Sequence, residues 1–361
     1  MWKFVSIVWL AVATPAFAQD DFDWETRAFD FADPLLNFST SVVRGASIDT
    51  VPMNRPAPGT IGNIGNIGLV KEPREWLKVT IVGYALASPA APEALCRYEI
   101  EADGYRIRNI RSTPDMTMTE AFATKANDQQ QTTGAFTRCY ARGQSALTVH
   151  VLFDVSDITT QDAYDARRAA GFEVYQKFVE RLDFADGAAP NFGDNLLDVP
   201  VTLGEQTIAF AVPAIWDVPI NDFTGPLPAE MQMLRSGEGG PTKGLMWLHV
   251  VEGDQPIDLE EVAERFVVQY FQNMDDAALT LEVVSNTVDD TVPELAARVV
   301  RVNVAEGGDI EASVIWHDGR LHVLGLWQNF DPPTDKMQFF TRLPALSSFV
   351  MMKNSLVRSL K

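Results

Sequence analysis

The sequence predicts an α+β fold in which antiparallel sheets pack with helices, in two sandwich-like domains. Three observations carry this. Short alternating segments recur along the chain and include two Asp-Gly dipeptides, Asp103-Gly104 and Asp318-Gly319, the strongest short-range hairpin signal. Each half ends in a segment whose apolar residues recur at helical spacing. Between the halves, "DFADGAAPNFGDNLLDVP" (183–200) clusters Gly, Pro, Asn and Asp as a boundary would. The expected organisation is a signal peptide over 1–18, a loosely ordered segment over 19–60, and α+β domains over 61–188 and 189–361.

The chain begins "MWKFVSIVWLAVATPAFAQDD", with Lys3, an apolar stretch, and Ala16-Phe17-Ala18 as an A-x-A cleavage site. It is too short to span a bilayer, and no later stretch reaches the roughly 18 apolar residues that a spanning helix needs. The expectation is an exported, periplasmic protein cleaved after Ala18 and without a transmembrane segment. In an oxidising compartment Cys96 and Cys139, the chain's two cysteines, form one disulfide. The net charge of −20 argues against nucleic acid as a partner, because phosphate binding needs clustered cations.

In the first domain, "GTIGNIGNIGLV" (59–70) places Gly59, Gly62, Gly65 and Gly68 at every third position. It has neither the G-x-G-x-x-G of a dinucleotide loop nor the Gly-Lys of a phosphate loop, and reads as a connector. A backbone binding nest is the alternative. "CRYEIEADGYRIRNIR" (96–111) reads as a hairpin about Asp103-Gly104, pairing Glu101 with Arg106 and Glu99 with Arg108. Strands follow at 75–86, 135–142 and 146–155, with a helix over 161–182 whose apolar stripe is Phe172, Tyr175, Val179 and Leu182.

The second domain opens at 207–219 with a strand running into a Pro-x-x-Trp corner at Trp216, followed by a strand at 244–252. Asp258 and Glu261 make a capping-box pattern for a helix lined by Val262, Phe266, Tyr270 and Met274. Strands at 279–288 and 297–306, a hairpin over 310–328 and a terminal helix over 336–360 complete it. Pro344 is expected to kink or restart that helix. Lys353, Arg358 and Lys361 suit its C-terminal end.

"HVLFDV" (150–155) and "HVLGLW" (322–327) each precede a closing helix, which suggests a diverged internal duplication. The strand "IAFAVPAIW" (208–216), the helix over 259–274, the hairpin meander and the closing "LSSFVMM" (346–352) resemble the PsbP-like / DcrB-like group of α/β/α sandwich domains. The first half lacks the Pro-x-x-Trp opening. The resemblance implies a non-catalytic accessory or binding role in an envelope compartment and carries over no catalytic residue.

Hydrolase, zinc-protease and EF-hand motifs are absent from the sequence, and no catalytic residue, cofactor or metal is assigned. The weak candidate site is His317 with His322. A turn at Asp318-Gly319 pairs His317 with Arg320 and His322 with Ile315, which places the two imidazoles diagonally on one face. A metal there needs an additional acid. His150 and His249, inside apolar strands, read as satisfied core residues. Asp275-Asp276 and Asp289-Asp290 read as solvated turns. The functional expectation is an exported, non-enzymatic accessory or binding protein whose partner is an envelope protein or complex. The alternatives are a small apolar ligand held between sheet and helix, or a hydrolase with dispersed acids and His317/His322.

Overall fold

The computed structural model describes residues 22–31, 33–52, 62–71, 75–86, 90–113, 116–126, 131–185, 196–203, 206–213, 231–236, 242–253, 258–272, 280–289, 291–305, 308–328 and 336–361. The expected signal peptide over 1–18, Gly59, Trp216, Met274 and Asp275-Asp276 lie outside them, as does the side chain of Tyr270.

The first half is built on a seven-stranded antiparallel sheet of order β3-β4-β5-β9-β8-β7-β6. Its strands are β3 (Ser47–Pro52), β4 (Gly62–Lys71), β5 (Leu77–Ala85), β6 (Arg106–Ser112), β7 (Met118–Ala126), β8 (Gln131–Arg142) and β9 (Ser145–Asp154). One face carries Val79, Ile81, Val149, Val151 and Phe153, which alternate along their strands as a half-buried sheet requires. Over that face lie α2 (Gln161–Glu180) and a small sheet of β1 (Trp24–Phe29), β2 (Phe38–Val43) and β10 (Asp183–Phe184). On the opposite face lies α1 (Pro92–Ala102).

The second half has a six-stranded antiparallel sheet of order β13-β14-β18-β17-β16-β15. These are β13 (Met231–Ser236), β14 (Thr242–Glu252), β15 (Leu281–Val288), β16 (Ala296–Val304), β17 (Asp309–His317) and β18 (Arg320–Gln328). α3 (Leu259–Gln272) covers one face. The other is covered by α4 (Lys336–Ser359) and the hairpin β11 (Leu196–Leu203) and β12 (Gln206–Pro213). α1 and α4 touch, so these two helices fill the space between the large sheets. The architecture is the expected α+β arrangement of antiparallel sheets packed with helices.

Several local expectations hold for the reasons given. Asp258 Oδ1 accepts hydrogen bonds from the Glu260 and Glu261 amides at 2.8 and 3.2 Å, as the N-cap of α3. Asp318 and Gly319 turn the β17–β18 hairpin with φ of 45° and 75°, and Ile315 pairs with His322 and His317 with Arg320.

Others are corrected. Residues 92–102 form a helix, not a strand. Pro92 at the helix start and the Glu93–Arg97–Glu101 spacing are helical signals. They are masked by a strand-like alternation at Arg97, Tyr98, Glu99, Ile100 and Glu101. The helix shows no single apolar stripe because both sides are buried, Glu93, Arg97 and Glu99 included. Asp103-Gly104 is its C-terminus. The Gly104 amide donates to Glu101 O at 2.9 Å, and the Tyr105 amide to Ile100 O at 3.0 Å. This Schellman closure uses the positive φ of Gly104, 78°, which the same dipeptide would have used in a hairpin. Arg106 and Arg108 therefore do not face Glu101 and Glu99. Arg106, Arg108 and Arg111 are exposed on β6, an edge strand on which such charge discourages further pairing.

The glycine-rich stretch is not a connector over Gly62–Lys71. It is β4, paired with β3 and β5, with Gly65 opposite Gly83. Within 19–60 the described residues include the strands β1, β2 and β3. Phe29 and Phe38 oppose each other across β1 and β2 with ring centroids 4.9 Å apart, and both are buried on the α2 side. On α2 the buried residues are Gly171, Val174, Tyr175, Phe178 and Val179, while Phe172 is partly turned outward against Phe136. α4 continues through Pro344. Lys353 is buried in it and not a solvated cation of its last turn, and Asp289 is likewise buried.

Both sheets use one device to fit a large ring. Phe153 lies over Gly134, and Trp247 over Gly325, each glycine directly opposite on the neighbouring strand. A Cβ at Gly325 would lie 1.9 Å from the Trp247 ring, which is fully buried. Gly325→Ala is expected to cost about 2–3 kcal/mol through overpacking, read as a lowered urea midpoint.

Candidate functional site

The last turn of α1 and the adjacent face of the seven-stranded sheet enclose a cavity of about 250 Å³. Its polar floor runs across three strands. Thr80 on β5 and Thr137 on β8 are both register partners of His150 on β9. Thr137 Oγ1 lies 3.0 Å from His150 Nδ1. The other imidazole nitrogen, Nε2, is 3.5 Å from Glu99 Oε2, longer than a charge-assisted hydrogen bond. Glu99 projects from α1, is 2% exposed, and accepts a hydrogen bond from the Tyr84 hydroxyl on Oε1. Burial, and then the Glu99 carboxylate, push the Tyr84 phenol well above its ordinary value, so Tyr84 remains a donor. Thr80 Oγ1 is buried without a hydrogen-bond partner. Lys78 and Asp103 stand exposed at the mouth, and Val82, Ile100 and Leu152 supply apolar wall.

Sequence periodicity makes this site possible. Thr80, Val82 and Tyr84 alternate onto one face of β5, and Thr148, His150 and Leu152 share the same face of β9. α1 is held against that face by the Cys96–Cys139 disulfide, whose Cα atoms are 5.7 Å apart. The expected bridge is therefore present, with Cys96 reaching it from a helix.

The opposite side of α1 faces the second half through an ionic network. Arg97 contacts Glu93 at 3.1 Å and Glu311 of β17 at 3.0 Å. Arg301 of β16 bridges Glu101 at 3.0 Å and Glu311 at 3.2 Å. Lys353 of α4 reaches Asp289 at 3.3 Å, Thr291 at 3.0 Å and Glu93 at 3.8 Å. Burial pushes the Glu311 carboxyl up, but Arg301, Arg97 and Lys353 outweigh it and hold it below the ordinary range. Asp289 behaves likewise, with burial opposed by Lys353 and by Thr291. The Ala91 amide adds a bond to Ser347 Oγ of α4 at 3.0 Å.

His317 and His322 fall on one face, at the turn end of the β17–β18 hairpin. His322 is buried, and its pKa is lowered to about 4 by burial first, then by His317 and Arg320. The nearby acid Glu252 pairs with Arg320 at 3.0 Å. Among the described residues no three His, Cys, Asp or Glu side chains gather as a metal site. His249 lies with its ring 5.3 Å from that of Phe266. Glu99, expected on a hairpin strand, instead lies on the helix α1. The Pro92 start and the Glu93–Arg97–Glu101 spacing are the signals that identify its helix.

No family model and no curated protein matches the chain. A solved structure, the solution structure of cyanobacterial PsbP (CyanoP) from Synechocystis sp. PCC 6803, is similar at 13% identity, covering 45% of this chain and 96% of that one, with a TM-score of 0.31. A likeness of that size carries no functional argument. No helix among the described residues is long and apolar enough to cross a membrane.

Proposed function

We propose that this chain is an exported, non-enzymatic binding protein of the cell envelope that holds a small polar molecule between α1 and the seven-stranded sheet. The observation that carries the reading is Glu99, a carboxylate 2% exposed whose neighbours open onto a cavity instead of filling it. Burying a carboxylate is costly unless it is hydrogen-bonded or paired, and Glu99 has the Tyr84 hydroxyl and His150 beside it. Here one imidazole, two hydroxyls and a carboxylate converge on space sufficient for a small ligand.

The wall is less apolar than the sequence led one to expect, which shifts the ligand from apolar to polar. Docking to an envelope protein has weaker support, because the exposed large hydrophobics among the described residues, Phe172, Val284 and Val288, are few. A diverged duplication belongs to the same reading, since β9–α2 and β18–α4 repeat the order of a buried strand followed by a helix.

The test is a thermal-shift screen of small polar molecules against the mature protein and against Ala135→Phe, whose ring would fill the cavity from β8. Ligands at about 100 times their Kd are expected to add roughly 2.7 kcal/mol to the wild type and nothing to the variant. Equal stabilisation of both proteins, or of neither by any compound, would sink the reading.

A further inference from the structure

The β6 arginines, which do not face Glu101 and Glu99, are gathered by a bulge. Arg106 is opposite Thr124 and Arg111 opposite Glu120 on β7, and the register shifts at Arg108, between Ile107 and Asn109. Strict alternation would put Arg111 on the side of Ile107. The extra residue returns it to the side of Arg106. Arg108 is on that side as well, because its Nε donates to Thr124 Oγ1 at 2.8 Å. This is the α2 side of the sheet, away from the cavity. The Tyr175 hydroxyl of α2 donates to Glu120 at 2.9 Å, and Arg168 of α2 lies over the Phe122 ring at 4.8 Å. Ile107 and Ile110 point the other way and pack, partly buried, on the cluster of Ile100, Ala121 and Ala123.

Arg106, Arg108, Arg111 and Arg168 are exposed, and none makes an ion pair among the described residues. The acid opposite Arg111, Glu120, is held by Arg138 and the Tyr175 hydroxyl. A chain with a net charge of −20 thus sets these cations beside the aromatic row Phe122, Phe136 and Phe172. β6 also ends its sheet among the described residues, so one side of its backbone has no strand beside it. A segment added there would alternate its side chains between the two faces. Those on the α2 side would meet the arginines, and those on the α1 side Ile107 and Ile110. We propose that this edge docks an extended segment of a partner protein in which acidic and apolar residues alternate. The charge that discourages an apolar or like-charged strand favours an acidic one. A second copy of this chain, joined edge to edge, would set arginine against arginine. An anionic bilayer or a nucleic acid would meet the repulsion of the whole chain. A short segment feels only the charges within about a Debye length, roughly 8 Å at physiological salt. This docking uses none of the residues that line the cavity.

The experiment is fluorescence anisotropy of labelled octapeptides with the full protein. The peptides are alternating Glu/Val, alternating Gln/Val, and the Glu/Val isomer with its acids and valines in separate blocks. The expected result is saturable binding of the alternating acidic peptide alone. It should weaken as ionic strength rises from about 0.1 to 1 M, where the screening length falls from roughly 10 to 3 Å. Arg106→Glu/Arg111→Glu is expected to lose at least about tenfold in affinity, because each reversal turns an attraction into a repulsion. Arg108, which holds the buried Thr124, is left in place. If that variant does not fold, Arg168→Glu on α2 reads a severalfold loss in its stead. Arg265→Glu/Arg358→Glu, exposed on α3 and α4, changes the net charge by the same amount and is expected to bind like the wild type. An equal loss in that control would overturn the proposal, as would Gln/Val or block-isomer binding as tight as that of the alternating acid. Absence of binding by any peptide would overturn it too. Co-sedimentation with phosphatidylglycerol vesicles, or self-association, that is lost in Arg106→Glu/Arg111→Glu would overturn it by giving the surface to a lipid or to a second copy.

Discussion

Lys353→Ala is expected to lower stability by about 3–5 kcal/mol, the cost of removing one partner from a buried ion pair. Lys353 is 1% exposed and lies 3.3 Å from Asp289, which is itself buried, so its loss leaves a buried carboxylate without its nearest counter-ion. Urea unfolding reads the effect, and the double variant Lys353→Met/Asp289→Leu should recover much of it, because removing both charges also removes their desolvation penalty. A loss under about 1 kcal/mol in the single variant, the range of a surface ion pair, would show that Lys353 is hydrated in solution. The pH dependence has a definite sign. Asp289 and Glu311 are held below the ordinary carboxylate range in the folded protein, so the unfolded chain binds more protons in acid. Their contribution is complete above the unfolded values and is lost as pH falls below about 4 and through the folded ones. Lys353→Ala should flatten this acid limb, because Asp289 then loses the cation that depresses it.

Breaking the disulfide, by reduction or by Cys96→Ser/Cys139→Ser, is expected to cost about 4 kcal/mol, from the loop entropy of a bridge between residues 43 apart. Both sulfurs are buried, so reduction should be slow in the native protein and fast in urea. The bridge fastens α1 to β8, and α1 carries Glu99 on the cavity side and Glu93, Arg97 and Glu101 on the other. Loss of the bridge should therefore weaken the proposed ligand binding together with stability. Unchanged denaturant midpoints under reducing and non-reducing conditions would contradict this.

The most legible parts of this chain were those with a local signal. Asp258 and Glu261 announced α3, because a cap is a local hydrogen-bond pattern. The Asp318-Gly319 hairpin and its His322–Ile315 register were legible for the same reason: two residues with positive φ set the pairing of both strands. α1 was not legible as a helix. Buried on both sides, it presents charge to α4 and to β16–β17, and a carboxylate and a tyrosine to the first sheet. Its alternation imitates a strand, and Asp103-Gly104 suits either a hairpin or a Schellman closure. Gly62, Gly65 and Gly68 misled in the opposite direction, since glycine spacing reports backbone freedom and not the neighbours that β3 and β5 provide.

The sequence by itself determined the α+β class, about half of the described strands and three of the four described α-helices, and the one possible pairing of Cys96 with Cys139. These follow from periodicity, capping and count, which act over a few residues or need no geometry. Only the tertiary structure decided that Glu99 meets His150, that Lys353 meets Asp289, and that α1 lies between two sheets. Those contacts join residues 51 and 64 positions apart, and no local pattern records them. A buried charge is tolerated only where the fold brings its partner, so its meaning is set by the packing and not by its neighbours in the chain.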